Sequence, residues 1–133
     1  MEHTWKKGEL KQLTKNFTTK EFECKCKLAS CVNQKISKEL VDKIQKAREE
    51  FGSSLIITSG YRCLEHNTAI GSRPTSQHVL GRGADLTCKD NDKLFEILEK
   101  YFLAIGDARI SIGNRSNFIH VDTRSDKKRR WLY

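Results

Sequence analysis

His78, Asp85 and His120 are the residues of this chain whose types and spacing best suit chemistry. They lie in Ser76-Gln-His78-Val-Leu-Gly81-Arg-Gly83-Ala-Asp85 and in Phe118-Ile-His120-Val-Asp122. Imidazole nitrogen and carboxylate oxygen are both ligands that zinc accepts. Catalytic zinc sites use three protein ligands and keep a fourth position for water, whereas structural sites use four, mostly Cys and His. Water on such an ion has its pKa lowered to about 7, and the ion also polarises a carbonyl. The set therefore predicts one Zn2+ ion and hydrolytic chemistry.

Those three residues need rigid elements to hold them. Ala84 to Cys88 and Phe118 to Asp122 read as strands, so Asp85 and His120 sit on short extended segments. His78 belongs to the loop that follows the turn-forming Gly71-Ser-Arg-Pro74-Thr. Gly81 and Gly83 give the backbone freedom to turn between His78 and Asp85. Arg109-Ile-Ser-Ile112 is expected to be a strand leading into a turn at Gly113 to Asn117. Leu55 to Thr58 is a β-branched run, read as a buried strand and broken by Ser59-Gly60.

Helices are expected at four places. Thr18-x-x-Glu21 fits a capping box opening a short helix. Ser37 caps a long helix to Phe51, with Leu40, Val41, Ile44 and Ala47 as its apolar stripe and Gly52 as its stop. A short helix covers Leu64 to Ile70. Asp90-Asn-Asp92 caps another, over Lys93 to Leu103. This order predicts an α+β fold: a small, mainly antiparallel sheet with helices packed on it. The 133 residues suffice for a single domain, with 1–13 a flexible N-terminal extension.

Net charge is +8, densest at Lys127-Lys-Arg-Arg130. Such a surface favours polyanions or is simply solvated. With no zinc-finger or helix-turn-helix signature, nucleic acid is not the expected partner. No run of 18 apolar residues occurs, so no membrane span is expected. Met1 to Lys7 has no apolar signal-peptide region. The five cysteines, Cys24, Cys26, Cys31, Cys63 and Cys88, form an odd set with no export signal, so reduced thiols are the default. Cys24-x-Cys26-x4-Cys31 reads either as buried free thiols or as part of a second, structural metal site with a fourth ligand from elsewhere.

Larger patterns join these residues. Ser59-Gly60-Tyr61-Arg62-Cys63, His66-Asn67, Ser76-x-His78-x-x-Gly81-x-x-Ala84-Asp85, Phe118-Ile-His120-Val-Asp122 and a closing Arg130-Trp131 occur in that order. Over about residues 14–131 the chain resembles the zinc peptidoglycan peptidases. These are the D-Ala-D-Ala carboxypeptidases, L-alanyl-D-glutamate peptidases and many phage endolysins, which share a fold with the hedgehog signalling domain. The resemblance implies that His78, Asp85 and His120 hold zinc. It implies that Arg62 faces the site, where it binds a substrate carboxylate or steadies an oxyanion, the alternative being a structural ion pair. Ser76 supports the ligand loop and borders the substrate. Tyr61 is expected in the core.

One position departs from the pattern. Many members of that family carry an acid three residues before the last His ligand, as general base; here it is Asn117. Asp122, on the same strand face as His120, is the substitute by proximity, acting as base or orienting an imidazole. Asp107 and His66 are weaker candidates. The expected function is hydrolysis of an amide bond in the peptide stem or cross-link of bacterial peptidoglycan. The enzyme would be a monomer of phage or prophage type, made in the cytoplasm and reaching the wall through a holin or on a virion. The competing expectation is a non-catalytic, zinc-stabilised module that binds cell wall or protein.

Overall fold

A computed structural model describes residues 1–110, 117–124 and 127–133. The fold is α+β, as the element order predicts. A two-stranded sheet pairs β1 (Glu2–Lys6) with β2 (Asn33–Ser37). A five-stranded sheet has the order β3-β4-β6-β5-β7, with β3 Ile56–Ser59, β4 Gly83–Thr87, β5 Ala104–Ala108, β6 Phe118–Asp122 and β7 Arg129–Leu132. All its pairings are antiparallel except β5 with β7.

The local signals explain the helices. Glu21 accepts the Thr18 backbone N–H at 2.7 Å, fixing the start of α1 (Thr19–Phe22). Ser37 Oγ accepts the Leu40 N–H at the head of α2 (Lys38–Phe51), and Gly52 ends it in the left-handed conformation, φ 80°. Leu40, Val41, Ile44, Ala47 and Phe51 bury one face of α2 in the main core. α3 (Leu64–Ala69) starts on Cys63. α4 (Asn91–Leu98) is capped by Asp90, whose carboxylate accepts the Lys93 N–H, and it adds Leu94, Ile97 and Leu98 to the same core.

Three expectations are corrected. Residues 1–13 are not a loose extension: β1 is laddered along β2, and Trp5 is buried in the core, its indole N–H donating to Glu23. The alternation Glu-His-Thr-Trp-Lys is too short and too polar to read as a strand without its partner. The second long helix stops at Leu98 rather than Leu103, because Lys100 and Tyr101 donate to carbonyls three residues back and the turn closes. The strand expected at Arg109 to Ile112 lies earlier, at Ala104–Ala108; Ile110 is exposed, and residues 111–116, with most of the expected turn, lie outside the described residues.

The β5 sequence, Ala-Ile-Gly-Asp-Ala, carries little strand propensity. Packing dictates it. A Cβ added at Gly106 would lie 2.6 Å from the indole nitrogen of Trp131, so only glycine admits that ring. Tyr61 also departs from expectation. It leaves the main core and packs on a separate cluster of cysteines.

Candidate metal centre and its cleft

The ladders of the five-stranded sheet align one row of residues across all its strands. Ser59 on β3 faces Asp85 on β4, Asp85 faces His120 on β6, His120 faces Gly106 on β5, and Gly106 faces Trp131 on β7. Directly opposed residues share a face of the sheet. The row thus carries two of the sequence-predicted ligands side by side.

The third comes from the loop. Gly81, at φ 70°, turns the chain between His78 and β4, and its carbonyl is held by the Ser37 N–H at 2.7 Å. His78 Nε2 lies 3.2 Å from Asp85 Oδ1, and His120 Nδ1 lies 2.8 Å from the same oxygen. One ligand atom from each of His78, Asp85 and His120 falls within 4.8 Å of the others, and all three residues are buried.

Each imidazole is oriented from behind. His78 Nδ1 donates to the Gly60 carbonyl at 2.7 Å, which aims Nε2 at the shared centre. His120 Nε2 donates to Asp122 Oδ2 at 2.7 Å, which leaves Nδ1 facing Asp85. Burial alone would lower the His120 pKa, but hydrogen bonds to Asp122 and Asp85 raise it, so the ring is a more basic ligand. Burial likewise opposes ionisation of Asp85, and the bonds from His120 and His78 outweigh it, holding the carboxyl well below the ordinary range. Once a metal displaces the protons these two nitrogens share with Asp85, two imidazole nitrogens and one carboxylate make a donor set that fits zinc.

Asp122 is fully enclosed. Its carboxylate accepts His120 Nε2 and, from Arg124, the backbone N–H, Nε at 2.9 Å and Nη2 at 2.7 Å. Burial pushes its pKa up, yet these bonds bring it down to about 2. It does not border the cleft. Asp107 is paired with Arg109, and neither it nor His66 reaches the cleft. Asn117 is exposed and stands outside the lining too.

The cleft itself has a volume of about 760 Å³, with His78, Asp85 and His120 on its wall. Arg62, Arg73 and Arg124 also line it, and Asp85 is the sole acid among its described lining residues. Arg62 is fixed by three side chains: Nε donates to Ser59 Oγ at 3.0 Å, Nη1 to Asn67 Oδ1 at 3.2 Å and Nη2 to Asp85 Oδ2 at 3.4 Å. Asn67 is wholly buried and returns a bond to the Arg73 carbonyl, tying two of the arginines together. Ser76 borders the cleft and its Oγ accepts the His78 N–H.

Among the lining residues that escaped the sequence reading as site residues are Arg73, Arg124, Trp131 and Tyr133. The Trp131 ring packs on His120 with centroids 5.6 Å apart, and Arg124 lies over Trp131 at 5.0 Å. Alternation of Trp131 on β7 and Tyr133 just beyond it was the available signal, since residues two apart along an extended chain share a face.

No curated protein matches the chain at a significant level. The sequence profile described as Peptidase M15 matches residues 15–122, from just before α1 to the carboxylate behind His120. That span takes in the clustered His78, Asp85 and His120, the arginine beside them and the strands that carry Asp85 and His120, and the chain belongs to the peptidase M15 family.

Proposed function

We propose that this protein is a zinc metallopeptidase that cuts an amide bond in the peptide stem or cross-link of bacterial peptidoglycan, as a wall-lytic enzyme of phage or prophage type. The observation that carries the reading is the buried His78–Asp85–His120 cluster opening onto an arginine-lined cleft. Stem peptides are rich in carboxylates, and three guanidinium groups around one cleft suit them. The +8 charge of the chain suits an anionic wall.

The chemistry supplied by zinc, when bound to His78, Asp85 and His120, is polarisation of the scissile carbonyl and activation of water. The protein's own groups do the rest. Arg62, locked by Ser59, Asn67 and Asp85, presents a fixed cation to a substrate carboxylate or to the developing oxyanion. Arg73 and Arg124 flank the bound chain. Asp122 orients His120; a carboxylate so enclosed and so acidic is a poor general base, so of the two roles open to it in sequence we assign the orienting one. Burial raises the Tyr133 pKa, so its phenol stays protonated at neutral pH and donates to substrate rather than accepting a proton.

A second reading has one observation in its favour. Asn117 stands where many relatives carry an acid, and Asp85 is the sole acid among the described lining residues. A zinc-stabilised module that binds wall peptides without cutting them would look the same. The deciding experiment is digestion of purified peptidoglycan with mass analysis of the products, with chelator and after zinc is restored. Zinc-dependent release of a defined fragment establishes the peptidase. Binding to the wall with no release, by protein shown to carry zinc at the cluster, replaces it with the module.

A further inference from the structure

Four of the five cysteines converge on one point. Cys24, Cys26 and Cys31 come from the stretch between α1 and β2, which has neither helix nor strand, and Cys63 comes from the head of α3. Their four sulfurs all lie within 4.8 Å of one another. Cys24, Cys31 and Cys63 are buried and Cys26 is half-buried. Cys88 stands apart, bonded to Asn91 beyond β4.

The spacing decides between two chemistries. A disulfide requires sulfurs about 2.05 Å apart. Zinc–sulfur bonds of about 2.3 Å in a tetrahedron place sulfurs about 3.8 Å apart. Cys26 Sγ and Cys63 Sγ are 3.7 Å apart. Four mutually close thiols, rather than two close pairs, are what a tetrahedral ion requires.

The surroundings also suit sulfur that carries charge. Each sulfur faces a donor: the Cys63 N–H points at Cys24 Sγ (3.4 Å), the Gln34 amide at Cys31 Sγ (3.3 Å), the His66 N–H at Cys63 Sγ (3.4 Å) and Lys7 Nζ at Cys26 Sγ (3.4 Å). Lys7 also bonds the Cys26 carbonyl. Donors of this kind around ligand atoms orient them and stabilise their ionised form. Four thiolates around a dication leave two negative charges, and the Lys7 ammonium offsets one of them.

We propose that Cys24, Cys26, Cys31 and Cys63 bind a second zinc ion, structural in role and separate from the His–Asp–His centre. Binding releases the thiol protons to solvent and involves no change of oxidation state. The ion clamps the 23–32 stretch to the chain at Cys63. Cys63 directly follows Arg62, so the clamp also fixes the backbone from which that guanidinium reaches Asp85. Four cysteine ligands leave no position for water, so this ion takes no part in hydrolysis.

The test is made on the full chain, purified under reducing conditions and loaded with zinc. The expected result is two zinc ions per chain, with Cys88 the sole thiol open to alkylation until a strong chelator exposes the other four. The double variant His78→Ala/His120→Ala keeps one ion. Loaded with cobalt, it shows the intense thiolate-to-metal charge-transfer absorption of a sulfur-rich tetrahedral site. Cys24→Ser/Cys26→Ser loses that absorption and one zinc. The proposal is overturned if the zinc-loaded native protein alkylates at all five thiols. It is equally overturned if the His78→Ala/His120→Ala protein holds no metal, or if mass analysis finds the four cysteines joined as disulfides. None of these readouts depends on peptidase activity, so failure here and failure of the proposed hydrolysis are distinguishable.

Discussion

Asp85 and His120 face each other across the β4–β6 ladder, and the carboxylate oxygen of one stands 2.8 Å from the ring nitrogen of the other. The pairing makes the centre a property of strand register. A slip of one residue would turn both side chains to the opposite face of the sheet. It also makes the ligands interdependent. His78→Ala, Asp85→Ala and His120→Ala should each abolish zinc binding at this centre and the hydrolysis that depends on it. Metal analysis of each variant beside a circular-dichroism spectrum separates loss of a ligand from loss of the fold.

Asp122 should behave as an orienting group. Asp122→Asn removes the acceptor behind His120, and the expected cost is about 10–100-fold in zinc affinity. With saturating zinc, much of the activity should return. If turnover stays absent at full occupancy, Asp122 acts in the chemistry itself.

The same carboxylate predicts an acid limb of stability. Its pKa falls from an ordinary 3.8 to about 2 in the folded chain, so the folded state favours its ionised form. The contribution is present above about pH 4 and disappears as pH falls through 2; a shift of this size corresponds to about 2 kcal/mol. Denaturant unfolding of chelator-treated protein at pH 5 should show Asp122→Asn less stable than the parent. The gap should close near pH 2.

Arg62 is held by three acceptors at geometries a lysine cannot reproduce. Arg62→Lys should therefore resemble Arg62→Ala, with kcat/KM lowered about a hundredfold or more. Recovery of near-parental activity by lysine would reduce the role to charge alone.

Gly106 predicts a packing effect at a distance from any ligand. Gly106→Leu drives a side chain into the Trp131 ring, which itself rests on His120. Overpacking of this kind costs about 1–3 kcal/mol. The variant should unfold at lower denaturant and lose activity, and Gly106→Ala should show a smaller form of both.

The parts of this molecule legible in sequence are those written in local signals. Ser37 and Gly52 mark the ends of α2 because a cap and a left-handed stop are single-residue devices. His78, Asp85 and His120 stood out because two imidazoles and a carboxylate, in a recognisable order, form a ligand set for zinc. What sequence did not reveal depends on partners far along the chain. β1 is a strand by virtue of β2, and β5 is built of small residues by virtue of Trp131. Cys63 completes the sulfur cluster from 32 positions beyond Cys31, with no spacing to announce it. Arg73 and Arg124 were lost among 25 basic residues, most of which face solvent as any basic surface does.

The strand order β3-β4-β6-β5-β7 has a consequence for how competence is acquired. β6, which carries His120, is inserted between two strands that precede it in the chain. In the sheet, β4 and β5 are joined only through β6, and without it each would present an open edge. Non-local pairing of this kind pays its loop-closure entropy before any contact rewards it. His120 meets Asp85 only through the β4–β6 pairing, so the cluster exists only where the central strand of the sheet is in place.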